Sequence, residues 1–134
     1  MQENVQIEFL TDYSEICGRL GRHEINEMDL STLPLHQRMQ IACSIAIKNL
    51  EDYFNGDWIP NWDDENERKW YPYHRKSSGG WVFYASYYRY GTSDGEVGFY
   101  KDQKTSDHVG KHFIKFYIGI AEKSKKRQNI SVQL

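Results

Sequence analysis

The chain has 134 residues, 39% of them hydrophobic and 27% charged, with a formal net charge of −2. That length suits a single domain spanning 1–134, able to bury about two-thirds of its unfolded surface without disulfides. No basic N-terminal stretch precedes an apolar run and no apolar segment approaches the ~20 residues that span a bilayer, so a cytoplasmic protein without membrane contact is expected.

The net charge conceals an asymmetry. Residues 1–67 carry 14 acids against four Lys/Arg, whereas residues 68–134 carry five acids against 13 Lys/Arg. Such a split serves either a basic face that attracts phosphate or an acidic partner, or simple complementarity between two packed halves. Only Lys123, Lys125, Lys126 and Arg127 form a dense run, in a basic tail over 121–134 that also suits the end of a helix.

In chain order, the alternation Val5, Ile7, Phe9 suits a strand or an ordered extension. Thr11 is placed to cap a helix bearing Tyr13, Ile16, Cys17 and Leu20 on one face and stopping at Gly21. A polar loop over 22–33 leads to Pro34, and apolar positions from Leu35 to Phe54 recur at helical spacing until Asn55 and Gly56 end the run. An acidic, Trp-bearing loop comes next over 57–67, with Asp64 placed to cap a short turn. The period then changes to two: Trp70–Arg75 and Trp81–Tyr90 read as strands joined by a turn at Ser77–Gly80, and Glu96–Lys101 as a third strand after a turn over 91–95. Thr105–Ile120 closes the chain with a helical stripe of Val109, Phe113, Phe116, Tyr117 and Ile120. The fold class expected is α+β, with N-terminal helices, a three-stranded antiparallel meander and a C-terminal helix. Cys17 and Cys43 form no C-x-x-C or zinc pattern and read as buried free thiols.

The segment Asn55-Gly56-Asp57-Trp58-Ile59-Pro60-Asn61-Trp62-Asp63, then Lys69-Trp70-Tyr71-Pro72-Tyr73, a Gly- and Tyr-rich hairpin, and Gly110-Lys111-His112-Phe113 with Tyr117 resembles a group of small proteins encoded in phages and mobile elements of gut anaerobes. The likeness runs from near Thr11 to Tyr117, and Trp-x-Pro-x-Trp is its most specific part. It implies a phage-type genetic context and supplies no catalytic residues.

Chemistry-bearing patterns are sparse. His108 and His112 share a helical face, but the H-E-x-x-H signature is absent and no third ligand is nominated, so no metal or other cofactor is expected. The acids Asp57, Asp63, Asp64, Glu65 and Glu67 lack the spacing and central glycine of a calcium loop. Ser77–Gly80 could cradle a phosphate, yet a hairpin turn needs the same residues.

What stands out is aromatic density: 15 of the 20 aromatics, including all four tryptophans, lie between Tyr53 and Tyr100. Aromatics of this kind with arginine are binding hot-spot residues. The reading favoured is therefore a non-catalytic binding module, presenting Trp58, Trp62, Trp81, Tyr84, Tyr87, Tyr88 and Arg89 to a protein partner or a small aromatic or nucleotide-like ligand, with His74 and Arg75 beside them. At least half of these aromatics are expected in the core, and self-association is expected to cover one strand face. Single-stranded nucleic acid is the alternative ligand, with Arg75, Lys76, Arg89 and Lys101 on phosphates. A virion or assembly role, and a small nucleotide-directed enzyme using His74, Arg75 or His112, are further alternatives.

Overall fold

Helix α1, Tyr13–Leu20, starts where a carboxylate can satisfy its free N–H groups: Asp12, one residue beyond the expected Thr11, accepts from Ser14 N at 3.0 Å. The computed structural model describes residues 7–25, 27–91 and 98–119. Gly21 ends α1 in the left-handed region at φ 67°, as its position predicts, and the N–H groups of Gly21 and Arg22 close onto Gly18 O and Cys17 O. In the loop after α1, Glu27–Leu30 form one 3-10 turn. Helix α2, Leu35–Asn55, matches the apolar repeat, although its first apolar residue, Leu35, is 60% exposed.

Of the two forms expected for the first segment, strand or ordered extension, its described part takes the extension. Val5 lies outside the described residues, and Ile7–Leu10 runs without β pairing. Side chains of α2 and of helix α3, Gln103–His112, hold it: Tyr53 Oη donates to Glu8 O at 3.1 Å, and His108 Nε2 donates to Leu10 O at 2.7 Å.

Strands β1, Lys69–Ser77, and β2, Gly80–Arg89, form an antiparallel hairpin whose tight turn sets Ser77 opposite Gly80, the latter at φ 112°. Among the described residues the hairpin is two-stranded, and the expected three-stranded meander is not seen. The expected third strand falls partly on residues 92–97, outside those described, and its visible part makes a single bridge, Tyr100 to Trp70, on the β1 side. A meander would have placed it beside β2.

The reason lies in α2. Asn55, buried at the helix end, donates through Nδ2 to Phe99 O at 2.8 Å and accepts from Lys101 N at 3.1 Å, so its amide stands in for a neighbouring strand. Buried Glu51 accepts from the N–H groups of Gly98 and Phe99. With Tyr100 exchanging both backbone bonds with Trp70 at 2.7 and 3.0 Å, the N–H groups of segment 98–101 and the carbonyls of Phe99 and Tyr100 are satisfied between α2 and β1.

Helix α3 is capped by Asp102, which accepts from Thr105 N at 2.8 Å. It breaks at Phe113 rather than running to 120, and a further helical stretch over 114–119 is re-aimed so that Phe116 packs on Tyr13 at 4.7 Å and Tyr117 Oη meets Tyr100 Oη at 3.1 Å. Ile120 and the basic tail 121–134 lie outside the described residues.

The core joins Tyr13, Ile16 and Cys17 of α1 to Ala46, Leu50 and Phe54 of α2, Val109 of α3, and Tyr100 and Phe113. Cys17 and Cys43 are both buried and not disulfide-bonded. Fewer of the aromatics in the 53–100 window are fully buried than composition suggests: only Phe54, Phe99 and Tyr100 are, because among the described residues the two-stranded sheet has one face against α3 and little mass on the other.

Replacing Asn55 by Ala strands two buried backbone groups, Phe99 O and Lys101 N. We expect a loss of about 2–4 kcal/mol in urea unfolding, with Asn55→Asp, which keeps the acceptor for Lys101 N and loses the donor, also destabilising.

Candidate functional site

The hairpin is built around a bulge. Tyr73 pairs with Ala85 and His74 with Phe83, leaving Tyr84 as an extra residue on β2. Strict alternation, which sets Trp81, Phe83, Ala85, Tyr87 and Arg89 on one face of β2 and Val82, Tyr84, Ser86, Tyr88 and Tyr90 on the other, fails here. A bulge turns two successive side chains to one side, so the faces exchange at Tyr84–Ala85.

The inner face therefore carries Trp70, Pro72 and His74 of β1 opposite Tyr88, Ser86 and Phe83 of β2. Helix α3 closes over it. Ser86 Oγ donates to Ser106 Oγ at 2.7 Å in a buried pair, His74 Nε2 donates to Gly110 O at 2.9 Å, and Gly110 lets Phe83 and Pro72 approach the helix backbone. A Cβ at Gly110 would lie 2.5 Å from Phe83 Cδ1 and 2.6 Å from Pro72 Cβ.

The outer face carries Tyr71, Tyr73 and Arg75 of β1 opposite Tyr87, Ala85 and Val82, with Tyr84 added by the bulge. Tyr73 is 45%, Tyr84 49%, Tyr87 43% and Val82 46% exposed. The rings are ordered by edge-to-face contacts, Tyr73 lying 6.2 Å from Tyr84 and 5.7 Å from Tyr87. The guanidinium of Arg75 sits 4.0 Å over the Tyr84 ring and that of Arg89 5.2 Å over Tyr71. No Asp or Glu occurs from Arg68 to Gly91, whereas Arg68, Lys69, Arg75, Lys76 and Arg89 do. The face thus combines aromatic rings with guanidinium groups, and its own strands contain no carboxylate.

One end of this face is closed by the acidic loop. Lys69, fully buried, donates through Nζ to the carbonyls of Asp64, Glu67 and Tyr90 at 3.0–3.1 Å and lies 3.3 Å from the Glu67 carboxylate. Every ammonium donor is used, which is what makes a buried lysine tolerable. The loop's Trp62 ring lies 5.2 Å from that ammonium and 4.9 Å from Phe99. Asp64 caps its turn as expected, accepting from Asn66 N at 2.9 Å.

The sequence-selected residues therefore separate into three places. Arg75, Tyr84, Tyr87 and Arg89 come together on the outer face. His74, Trp81 and Tyr88 belong to the inner side, where Tyr88 stacks edge-on with Trp70 at 4.9 Å and Trp81 lies under Lys76. Trp62 supports the end of the sheet, and Trp58 lines a separate cavity beside α1 and α2. Tyr71, Tyr73 and Val82 complete the outer face and went unselected, although alternation along β1 from Tyr71 to Arg75 marks two of them.

His74 and His108 are structural in their contacts. His74 packs between Phe83 and Tyr117, at 5.9 and 4.9 Å, and burial lowers its pKa from the ordinary 6.5. His108, stacked on Phe9 at 4.8 Å, is lowered by burial likewise, with His112 adding to the effect. An open groove of about 540 Å³ passes along His108, His112, Lys104, Asp107 and Lys111. Among the described residues no group of three or more His, Cys, Asp or Glu could hold a metal ion, and no helix is long and apolar enough to cross a membrane.

Comparison of the chain with protein-family models, with curated proteins and with solved structures finds no match in any of the three.

Two measurements probe the α3–hairpin contact that leaves the outer face open. Gly110→Ala forces its methyl into Phe83 and Pro72, and a loss of about 1–3 kcal/mol in denaturant unfolding is expected. His74 and His108 have folded pKa values below the 6.5 of the unfolded chain, so the unfolded state takes up protons first as the pH falls. Stability should be full above about pH 6.5 and decline below it, through the folded values. A thermal melt followed from neutral to mildly acid pH checks this, and His74→Gln, which keeps a donor for Gly110 O but does not titrate, should flatten part of the decline.

Proposed function

We propose that the protein is a non-catalytic binding module whose working surface is the outer face of the β1–β2 hairpin, and that it takes a protein partner presenting carboxylates around an apolar centre. The observation that carries this is the Tyr73–Tyr84–Tyr87 cluster, exposed yet mutually packed, with Arg75 and Arg89 laid on its rings and no acid on either strand. Rings and guanidinium groups held in place before binding lose little entropy on contact, and Tyr and Arg are the residues that dominate hot spots. The phage-type context implied by the sequence resemblance fits a protein that engages a host factor in the cytoplasm, or one that assembles with copies of itself through the same face.

A second reading, single-stranded nucleic acid, is favoured by the same alternation of ring and cation, which suits bases on tyrosines and phosphates on Arg75 and Arg89. The two are distinguished by one pair of variants. Tyr84→Ala with Tyr87→Ala should leave the melting temperature nearly unchanged, since both rings are exposed, and should abolish capture of the partner that wild type retains from host lysate. An alanine loss of about 2 kcal/mol or more at a hot spot is the expected scale. Fluorescence anisotropy with a labelled oligonucleotide at low salt gives the other outcome: binding that is lost with Arg75→Ala and falls steeply with salt makes nucleic acid the ligand. A doubly substituted protein that keeps every interaction of wild type removes this face as the working surface.

A further inference from the structure

The Trp58–Pro60 stretch, the most distinctive element of the sequence, takes no part in the hairpin face. It is nevertheless rigidly built. Trp58 N donates to Asn55 O at 3.0 Å, Gly56 supplies the positive φ of 59°, and Asn61 N is held by the Glu67 carboxylate at 2.8 Å. On this fixed turn Ile59 is 79% exposed, the most exposed large apolar side chain among the described residues. An apolar group held out on a rigid loop suggests a contact made with something else.

Beside it opens a cavity of about 350 Å³, near the lower end of the roughly 300–1,000 Å³ typical of ligand pockets. Leu20, Trp58, Ile59 and Pro60 form an apolar wall, and Arg22, Lys48 and Asp52 a charged floor. On that floor Arg22 and Lys48 are both gathered on Asp52. Arg22 makes its contacts through one nitrogen, Nη1, which donates to Asn49 Oδ1 at 2.8 Å and Asp52 Oδ2 at 2.6 Å. Its Nε and Nη2, the pair that meets a carboxylate side-on, make no hydrogen bond or ion pair among the described residues. Lys48 Nζ shares the same Asp52, at 3.1 Å, and these two cations hold the Asp52 carboxyl below its ordinary pKa despite its burial. The other acid in the lining, Glu51, directs Oε2 to the N–H groups of Gly98 and Phe99 and lies through Oε1 3.7 Å from Lys48 Nζ, so the anion-binding capacity left over is that of the Arg22 fork.

We infer that this cavity binds a small monoanion with a carboxylate on Arg22 Nε and Nη2, near Lys48, and an apolar or aromatic body against Trp58 and Ile59. A free apolar acid and the C-terminal residue of a peptide share that chemistry. The site is independent of the hairpin face, since none of its lining residues belongs to β1 or β2.

Isothermal titration calorimetry on the full chain tests it with four probes: phenylacetate, phenylacetamide, and an acetylated tripeptide ending in phenylalanine with its terminus free or amidated. At least one free carboxylate should bind saturably, and its amide should bind about tenfold more weakly or worse, the scale of one charge-assisted hydrogen bond. Binding by the small acid identifies a free metabolite-type ligand, and binding by the tripeptide alone identifies a peptide terminus. Ile59→Ala, at an exposed position, should weaken binding several-fold with the fold intact. Arg22→Lys, which keeps the charge and loses the fork, should weaken it about tenfold. Tyr84→Ala should leave it unchanged. The inference is overturned if no carboxylate saturates, if acid and amide bind alike, or if Ile59→Ala and Arg22→Lys both retain wild-type affinity.

Discussion

The structure depends first on the clamp that the end of α2 places on segment 98–101. Four backbone groups of an irregular stretch must be satisfied away from water, and two side chains one turn apart, Glu51 and Asn55, do it. Glu51 faces two N–H groups, and Asn55 offers one donor and one acceptor at the spacing of a β partner. Because Tyr100 is bridged on its other side to Trp70, the same four residues join the helical half of the chain to the sheet. The clamp also carries Tyr100 into the core, where its phenol meets Tyr117, and burial drives the pKa of both well above the ordinary value.

The exposure of the hairpin is a consequence of that junction. Segment 98–101 occupies the free edge of β1, and α3 then returns across the inner face, where Gly110 permits contact with Phe83 and Pro72 and Ser106 pairs with Ser86. Among the described residues, only the Trp62 loop and Phe99 approach the outer face, at the end where Lys69 is buried. The tyrosines beyond them are left to pack on one another and on Arg75 and Arg89. The bulge at Tyr84 adds a ring to that face which a regular ladder would have turned inward.

Buried Lys69 and the clamp at Asn55 bracket the acidic loop. Asn55 holds its beginning through Trp58 N, and Lys69 holds its end through three carbonyls. A loop fixed at both ends keeps Trp58 and Ile59 beside the Arg22–Asp52–Lys48 cluster rather than collapsing onto the sheet. The acidic and basic halves of the chain meet in part through these contacts, as in the Lys69–Glu67 pair.

Much of the helical architecture was legible in the residues alone. Gly21, Pro34 and Gly56 mark where helices stop or start because backbone conformation is local, and the apolar stripe of α2 needs only its own period. The hairpin and its turn were legible for the same reason, as was the Asp64 turn. The partner of 98–101 was not, because Asn55 and Glu51 lie more than forty residues away and an amide imitating a strand has no sequence pattern. Nor was the face of each β2 tyrosine: the bulge arises from how the strands and α3 pack, and one extra residue reverses the alternation on which sequence assignment rests. The sequence by itself determined where α1 stops and where α2 starts and stops, the hairpin and the concentration of aromatics and cations within it, but not the break of α3 at Phe113. Only the tertiary structure decided which of them face outward together, since that depends on long-range pairing and on which side a helix returns.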